Sequence, residues 1–276
     1  DSDLAYIKSK GKMTIGYTVY EPMNYTDADG NFTGFDTELA TAVCEKLGVE
    51  PDFVEINWDT KIVELDAKSI DCIWNGMTLT DDIMANTACT KAYAKNAQVV
   101  VMKADADYSS TADLVGKTIV AEAGSAGEEV AGENGFKTVS VDSQAKALME
   151  VQAGTADAAI IDSLMAGAMV GEGTSYPNLT VTDQKLTEEL YGVGCRKGSD
   201  LASFINSVMA DAYADGVLEA TAETYGVQAA LVEQPASEFT ASESDSDVQY
   251  IKDKGTLVIG ITEFEPMDYQ DADGNW

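Results

Sequence analysis

Through its first 225 residues the chain alternates short apolar runs, bounded by glycine or polar turns, with segments whose apolar residues recur every three to four positions. The run Lys12–Tyr17 (KMTIGY) reads as a strand. A helix with Leu39, Val43 and Leu47 on one face follows, with Asp36 as the expected N-cap and Gly48 as its stop. The strand PDFVEI, a helix over Trp58–Ala67 and the strand DCIWNG come next. Further strands are expected at AQVVVM, TIVAEA, KTVSV, DAAIID and YGVGCR. Further helices are expected over Gly124–Gly132, Ser143–Gln152, Ser163–Val170 and Leu201–Tyr213. This rhythm implies an α/β fold of mostly parallel sheets covered by helices.

One phrase occurs in both halves of that region. A helix runs into AKSIDCIWNG in the first and into AGTADAAIID in the second, each a small polar turn, an Asp and a buried strand. Two similar α/β lobes, each presenting strand ends to a shared crevice, is the economical interpretation. Ligands of open α/β sheets bind at the carboxyl ends of strands, and facing lobes close on them by hinge motion.

A second repeat has a different scale. Ser246–Trp276 matches Ser2–Phe32 without a gap, with 19 of 31 positions identical. EPMNYTDADGNF thus returns as EPMDYQDADGNW, with Phe264 at the place of Tyr20. Such a period corresponds to a whole domain rather than a solenoid unit. The stretch before it, EQPASEFTASESDSD, has the composition of a flexible, self-repelling linker. The expected organisation is lobe 1 over 1–100 and 190–228, lobe 2 over 101–189, an acidic linker over 229–245, and the truncated start of a second domain over 246–276. A tandem protein of which this chain is a fragment is the expectation.

Charge and composition exclude several functions. With 48 acidic against 17 basic residues, the net charge of −31 disfavours nucleic acid and anionic lipid as partners. Histidine is absent, which removes the commonest general base and metal ligand. Cys44, Cys72, Cys89 and Cys195 include no CxxC pair, and three sit in apolar stretches, so buried free thiols are expected. No cofactor or metal is expected. DADGN at Asp27 has the wrong glycine position for a calcium loop and reads as a turn between short strands. No apolar run reaches the roughly 20 residues of a membrane helix. A start without Met and without a signal peptide reads as a mature or trimmed secreted product.

The stretch GKMTIGYTVYEPMNYTDADGNFTGFDTELATAVCEKLG resembles the opening of the family 3 extracellular solute-binding proteins, amino-acid-binding receptors of ABC importers. The resemblance continues through FVEINWDTKIVELDAKSIDCIWNGMTLT, LVGKTIVAEAGSAGEE, DAAIIDSLMAGAMV and YGVGCRKGSDL, covering nearly all of 3–226. It implies the two-lobed type 2 periplasmic-binding-protein fold, with crossing hinge strands near Gln98–Met102 and Tyr191–Arg196. It also implies a small-molecule solute and an ABC permease as partners, no catalysis, and a place outside the cell or in the periplasm, tethered to the membrane.

Carried over by position, the resemblance implies a cleft. Tyr20 matches an aromatic that stacks on the ligand, and Trp58 matches its facing partner; a core tryptophan would look the same in the sequence. Asn75, Gly76 and Thr78 match a loop that meets a ligand carboxylate. Ser125 and Ala126, between Gly124 and Gly127, match a second such loop at a helix start, where N–H groups attract anions. Ser125 with Glu128 also forms a capping box that the helix needs in any case. Asp162 matches the carboxylate that takes the ligand's ammonium; helix capping is its rival role. Glu21 and Glu122 lie near the expected cleft and would suit an amine or other cation.

One departure stands out. The family usually carries MTxTxxR, whose Arg clamps the α-carboxylate; here the phrase is MTLTDDI, with Ile83 at that place. The single arginine, Arg196, is expected outside the cleft, and Lys91 or Lys95 would supply a poorer clamp. The solute is therefore either an amino acid held by Asn75, Thr78, Ser125 and main-chain groups, or one lacking that carboxylate. The leading expectation is a receptor for an amino acid or related amine-containing solute. A sensor domain of a membrane signalling protein is the alternative, and a dehydratase-type enzyme is disfavoured by the missing His and Arg.

Overall fold

The computed structural model describes residues 2–239 and 254–256. The repeat and the linker's second half lie outside the described residues, apart from Lys254–Thr256. Residues up to Phe239 form one compact unit.

In chain order the unit opens with helix α1 (Asp3–Lys10), capped by Ser2, and strand β1 (Lys12–Tyr17). A hairpin of β2 (Tyr25–Thr26) and β3 (Phe32–Thr33) follows, then α2 (Phe35–Leu47) and β4 (Glu50–Glu55). The hairpin's turn is pinned by Asp27, whose Oδ1 accepts from the Asp29 and Asn31 amides. A 3-10 turn at Trp58–Thr60 leads into α3 (Lys61–Asp66), then β5 (Cys72–Thr78), α4 (Asp81–Asn86), β6 (Ala88–Cys89) and β7 (Ala94–Asn96). The second lobe comprises β8 (Gln98–Lys103), β9 (Thr118–Glu122), α5 (Ala126–Glu133), β10 (Lys137–Val141), α6 (Gln144–Ala153), β11 (Ala158–Asp162), α7 (Ser163–Met169) and β12 (Leu179–Lys185). The chain returns through β13 (Glu189–Cys195) to α8 (Leu201–Ala214) and α9 (Val217–Thr224).

The first sheet has the order β4-β1-β5-β13-β6, with β7 also on β13; the second has the order β10-β9-β11-β8-β12. β1 is parallel to β4 and β5, and β9 is parallel to β10 and β11. β13 runs antiparallel to β5, and β8 runs antiparallel to β11 and β12. The sheets are thus mixed rather than mostly parallel. The cause is the crossing: a strand leaving or re-entering a lobe runs against the three strands wound within it. β8 belongs wholly to the second sheet, so the outward passage lies at Asn96–Gln98, ahead of residue 100. The return passes alongside, where the Leu186 amide donates to the Gln98 carbonyl at 2.8 Å.

The repeated phrase has a concrete structural meaning. Asp71, just before β5, donates its amide to the Thr14 carbonyl and accepts the Thr14 amide on Oδ2. Asp157, just before β11, makes the same pair of bonds with Thr118. Each Asp therefore fixes the register of its lobe's central parallel pair, satisfying backbone groups that a strand start leaves open. Around these pairs the apolar runs are buried: Ile15, Ile73, Ile119 and Ile161 are fully inaccessible.

Two expectations are corrected here. Asp36 is not an N-cap; Gly34 holds that position, and Asp36 lies inside the first turn of α2, fully buried. Residues 229–239 are not a free linker. Val232 donates to the Tyr93 carbonyl, Leu231 bridges Ala94, and Phe239 packs edge-on against Phe204.

Candidate functional site

The carboxyl ends of β5, β9 and β11 converge on a cleft between the sheets, walled on the first-lobe side by Trp58, Lys61, Asn75–Thr78, Thr80 and Ile83. Gln98, Glu122, Gly124–Ala126, Gln144 and Asp162 form the opposite wall. Asp82 and Glu129 add carboxylates to the lining.

The first wall is held by buried hydrogen bonds. Asn75 Oδ1 accepts from the Thr18 amide and hydroxyl, and its Nδ2 donates to the Thr18 carbonyl and Asn24 Oδ1. Its side chain is thus spent on shaping the wall. Gly76 sits at φ +56°, where a Cβ would meet the Tyr20 ring at 2.6 Å and the Tyr191 ring at 2.9 Å. Its amide donates to Asp36 Oδ2 at 2.6 Å, which also accepts from the Tyr93 hydroxyl. Burial pushes the Asp36 carboxyl up to about 7, against the pull of these donors.

Tyr20 does not line the cleft. It is 1% exposed, its hydroxyl lies 2.6 Å from that of Tyr191, and its ring packs beneath Gly76. Glu21, half-buried, stays outside the lining as well. The other eight sequence-expected residues all reach the cleft wall. Ile83 is 5% exposed there and packs in the apolar cluster of Trp58 and Ile73. Arg196 is elsewhere, bonded to Asp3, Asp71 and the Leu65 and Ile70 carbonyls. Lys91 and Lys95 are exposed and outside the lining.

The basic group the cleft does contain is Lys61. Its Nζ donates to the Trp58 carbonyl at 3.1 Å and, across the cleft, to the Gly124 carbonyl at 3.0 Å. It also sits 4.8 Å from the centre of the Trp58 ring. Burial lowers its pKa, while Glu122 and Asp59 work the other way. Gly124 (φ +69°) lets the lobes approach this closely, because a Cβ there would come within 2.6 Å of the Asp59 backbone. Ser125 caps α5 by accepting from the Glu128 amide, and Glu128 reaches back to the Gly124 amide.

Asp162 ends β11 without capping α7 through its side chain. Oδ1 accepts from Asn96 Nδ2 at 2.7 Å and Gln98 Nε2 at 2.6 Å, and Oδ2 accepts from Gln144 Nε2 at 2.6 Å. Asn96 and Gln98 also donate to Glu189 Oε2, which takes the Thr78 hydroxyl as well. The Thr78 hydroxyl is therefore turned to Glu189. Burial and then the Glu189 charge push Asp162 up to about 7, while the amides oppose them. Glu122, 2% exposed, is pushed up to about 8 by burial; Thr18 beside it and the Lys61 charge favour its ionised form.

Lys61, Asn96, Gln98, Gln144 and Glu189 were not singled out in the sequence. Lys61 carried one signal, standing three residues after Trp58 on the same helical face. The others come from four separate segments and carry none.

The fold and this cleft define a class: two α/β lobes that meet over a cleft lined by hydrogen-bond donors and carboxylates. The chain belongs to the bacterial extracellular solute-binding proteins, family 3, whose model matches residues 13–228. The arginine-binding extracellular protein ArtP of Bacillus subtilis is 29% identical over 215 residues, 76% of this chain and 84% of that protein. A mutant of ArgBP from T. maritima superimposes with a TM-score of 0.76 at 34% identity, covering 81% of this chain and 99% of the other. An ABC uptake transporter substrate-binding protein from Streptococcus pneumoniae with bound histidine gives a TM-score of 0.77 at 30% identity, covering 83% and 98%. Among the described residues no helix is long and apolar enough to cross a membrane.

Proposed function

We propose that this protein is the extracellular receptor of an ABC importer, closing its two lobes on an amino acid or related amine-containing solute and presenting it to a permease without chemical change. The observation that carries this reading is the Lys61–Gly124 contact over a cleft walled by both lobes. Such a contact forms only when the lobes come together, the event that hinge-closing receptors couple to ligand. The names of the family and of its arginine- and histidine-binding relatives support the solute class and the importer role. Trp58, Thr78, Ser125, Ala126 and Asp162 are the proposed contacts, with Asn75 and Gly76 contributing main chain. The Ile83 wall leaves any ligand carboxylate to Ser125, Ala126 and the first turn of α5.

A thermal-shift screen over amino acids, amines, short peptides and organic acids tests the reading. A cognate solute raises stability with the logarithm of its excess over Kd, about 2.7 kcal/mol at a hundredfold excess. Asp162→Asn should abolish that shift; an unchanged shift removes Asp162 from the site. No shift with any of these classes would overturn the receptor reading.

A further inference from the structure

The two buried carboxylates of the second lobe differ in one respect. Asp162 has both oxygens occupied by side-chain amides. Glu122 is as deeply buried and lines the same cleft, yet its Oε1 has no hydrogen-bond partner. Lys61, the lining's single ammonium, makes no ion pair with it and spends two donors on the Trp58 and Gly124 carbonyls. A buried carboxylate oxygen left without a donor is costly, and one facing a cavity is completed by whatever fills that cavity.

The rest of the lining points the same way. Four carboxylates, Asp82, Glu122, Glu129 and Asp162, stand against the one Lys61, and Ile83 offers a neighbouring wall that cannot pair with an anion. A neutral or anionic solute would bring Glu122 no cation to meet, and the lining supplies none beyond Lys61.

We propose that Glu122 sets the specificity of the cleft by receiving the cationic nitrogen group, guanidinium or ammonium, of a net-positive organic solute. The proposal rests on the solute-receptor reading above and adds the charge of the solute to it. Glu122 stands at the end of β9, across the cleft from Trp58 and Lys61 and apart from the amide cradle of Asp162. The solute's cationic group and whatever Asp162 receives are therefore distinct anchoring points. A site built around a hydrogen-bonding charge rejects an analogue lacking that group by about 10⁴-fold in favourable cases. A discrimination of at least about 100-fold is expected here.

The test is calorimetric titration with isosteric pairs: arginine against citrulline, and lysine against norleucine, with agmatine and putrescine as cations lacking a carboxylate. The intact protein should bind one or more of the cations, and the neutral partner of any cation bound should be at least about 100-fold weaker. Glu122→Gln, which keeps the shape and removes the charge, should shrink that gap below about tenfold while the fold is retained, as read by its melting temperature. Glu122→Leu serves as a second variant, since Gln keeps one acceptor, and should close the gap further. Citrulline equal to arginine, or a Glu122→Gln variant with an undiminished gap, would overturn the proposal. Binding of neutral amino acids without any cation would overturn it and leave the receptor reading standing. Silence from every cation and every neutral amino acid would overturn the proposal, and the receptor reading would fall with it only if short peptides and organic acids were silent as well.

Discussion

Lys61 Nζ lies 3.0 Å from the Gly124 carbonyl, joining the start of α3 in one lobe to the loop before α5 in the other. It is the kind of bond that exists only in the closed arrangement, so it biases the hinge equilibrium without touching the fold of either lobe. Lys61→Met keeps the stem over Trp58 and deletes the bond. A hydrogen bond from a charged donor is worth roughly 1.5–3 kcal/mol, and burying the ammonium offsets part of this. Solute affinity should fall about 5–20-fold, appearing as faster dissociation in stopped-flow measurements, with the melting temperature of the ligand-free protein nearly unchanged. Unaltered dissociation would show that the contact does not stabilise closure.

Gly76 serves the other wall by backbone geometry alone. Its φ of +56° and the Tyr20 and Tyr191 rings, which a Cβ would meet at 2.6 and 2.9 Å, leave no room for a side chain. Gly76→Ala imposes left-handed strain and displaces two buried tyrosines linked by a 2.6 Å hydroxyl contact. A loss of about 2–4 kcal/mol is expected, measurable as a lower urea midpoint at constant slope. A midpoint within experimental error of the parent would mean the wall yields freely.

The strands and helices that carry the lobes were legible because their signals are local. β1, β5, β8 and β11 are apolar runs bounded by turn residues, and Gly48 stops α2 in the left-handed conformation its position implied. The paired phrase around Asp71 and Asp157 was legible as repetition, and the bonds to Thr14 and Thr118 supply its physical reason. Tyr20 was misplaced because a sequence position does not say which way a ring turns, and here Gly76 leaves a socket that the ring fills. The tail at 229–239 misled because its composition is that of a linker while its main chain pairs with Tyr93 and Ala94. The amide cradle of Asp162 was illegible for a similar reason: Asn96, Gln98 and Gln144 are ordinary polar residues until three elements bring them to one carboxylate.

Arg196 gives a control outside the cleft. It bonds Asp3, the fully buried Asp71 and two carbonyls, while Lys10 holds the other Asp71 oxygen. Arg196→Met strips one partner from a buried charge network, a change that costs about 3–5 kcal/mol. The denaturation midpoint should fall accordingly, and the affinity of the folded protein for solute should stay within about twofold. A large affinity change at intact stability would place Arg196 in the binding machinery after all.

Three buried carboxyls fix the direction of the protein's pH response. Burial raises Asp36 and Asp162 to about 7 and Glu122 to about 8, from ordinary values near 4. The folded chain therefore holds protons that the unfolded chain has released, so stability falls with rising pH between about 4 and 8. Self-repulsion at a net charge of −31 acts in the same direction. Carboxylates held low by hydrogen bonds or ion pairs, such as Asp27 and Asp52, lose their contribution only below about 4 and do not enter this window. The ligand-free protein should melt higher at pH 5.5 than at pH 8, and Glu122→Gln should flatten the upper part of that slope. A cation that meets Glu122, in a field set by Asp162, Lys61 and the Thr18 side chain, should in turn expel its proton. Binding at pH 7 should then release a proton, read as a calorimetric enthalpy that changes with the ionisation enthalpy of the buffer, and affinity should weaken as pH drops from 8 to 6. An enthalpy independent of buffer, with affinity flat over that range, would mean that Glu122 does not change its protonation on binding.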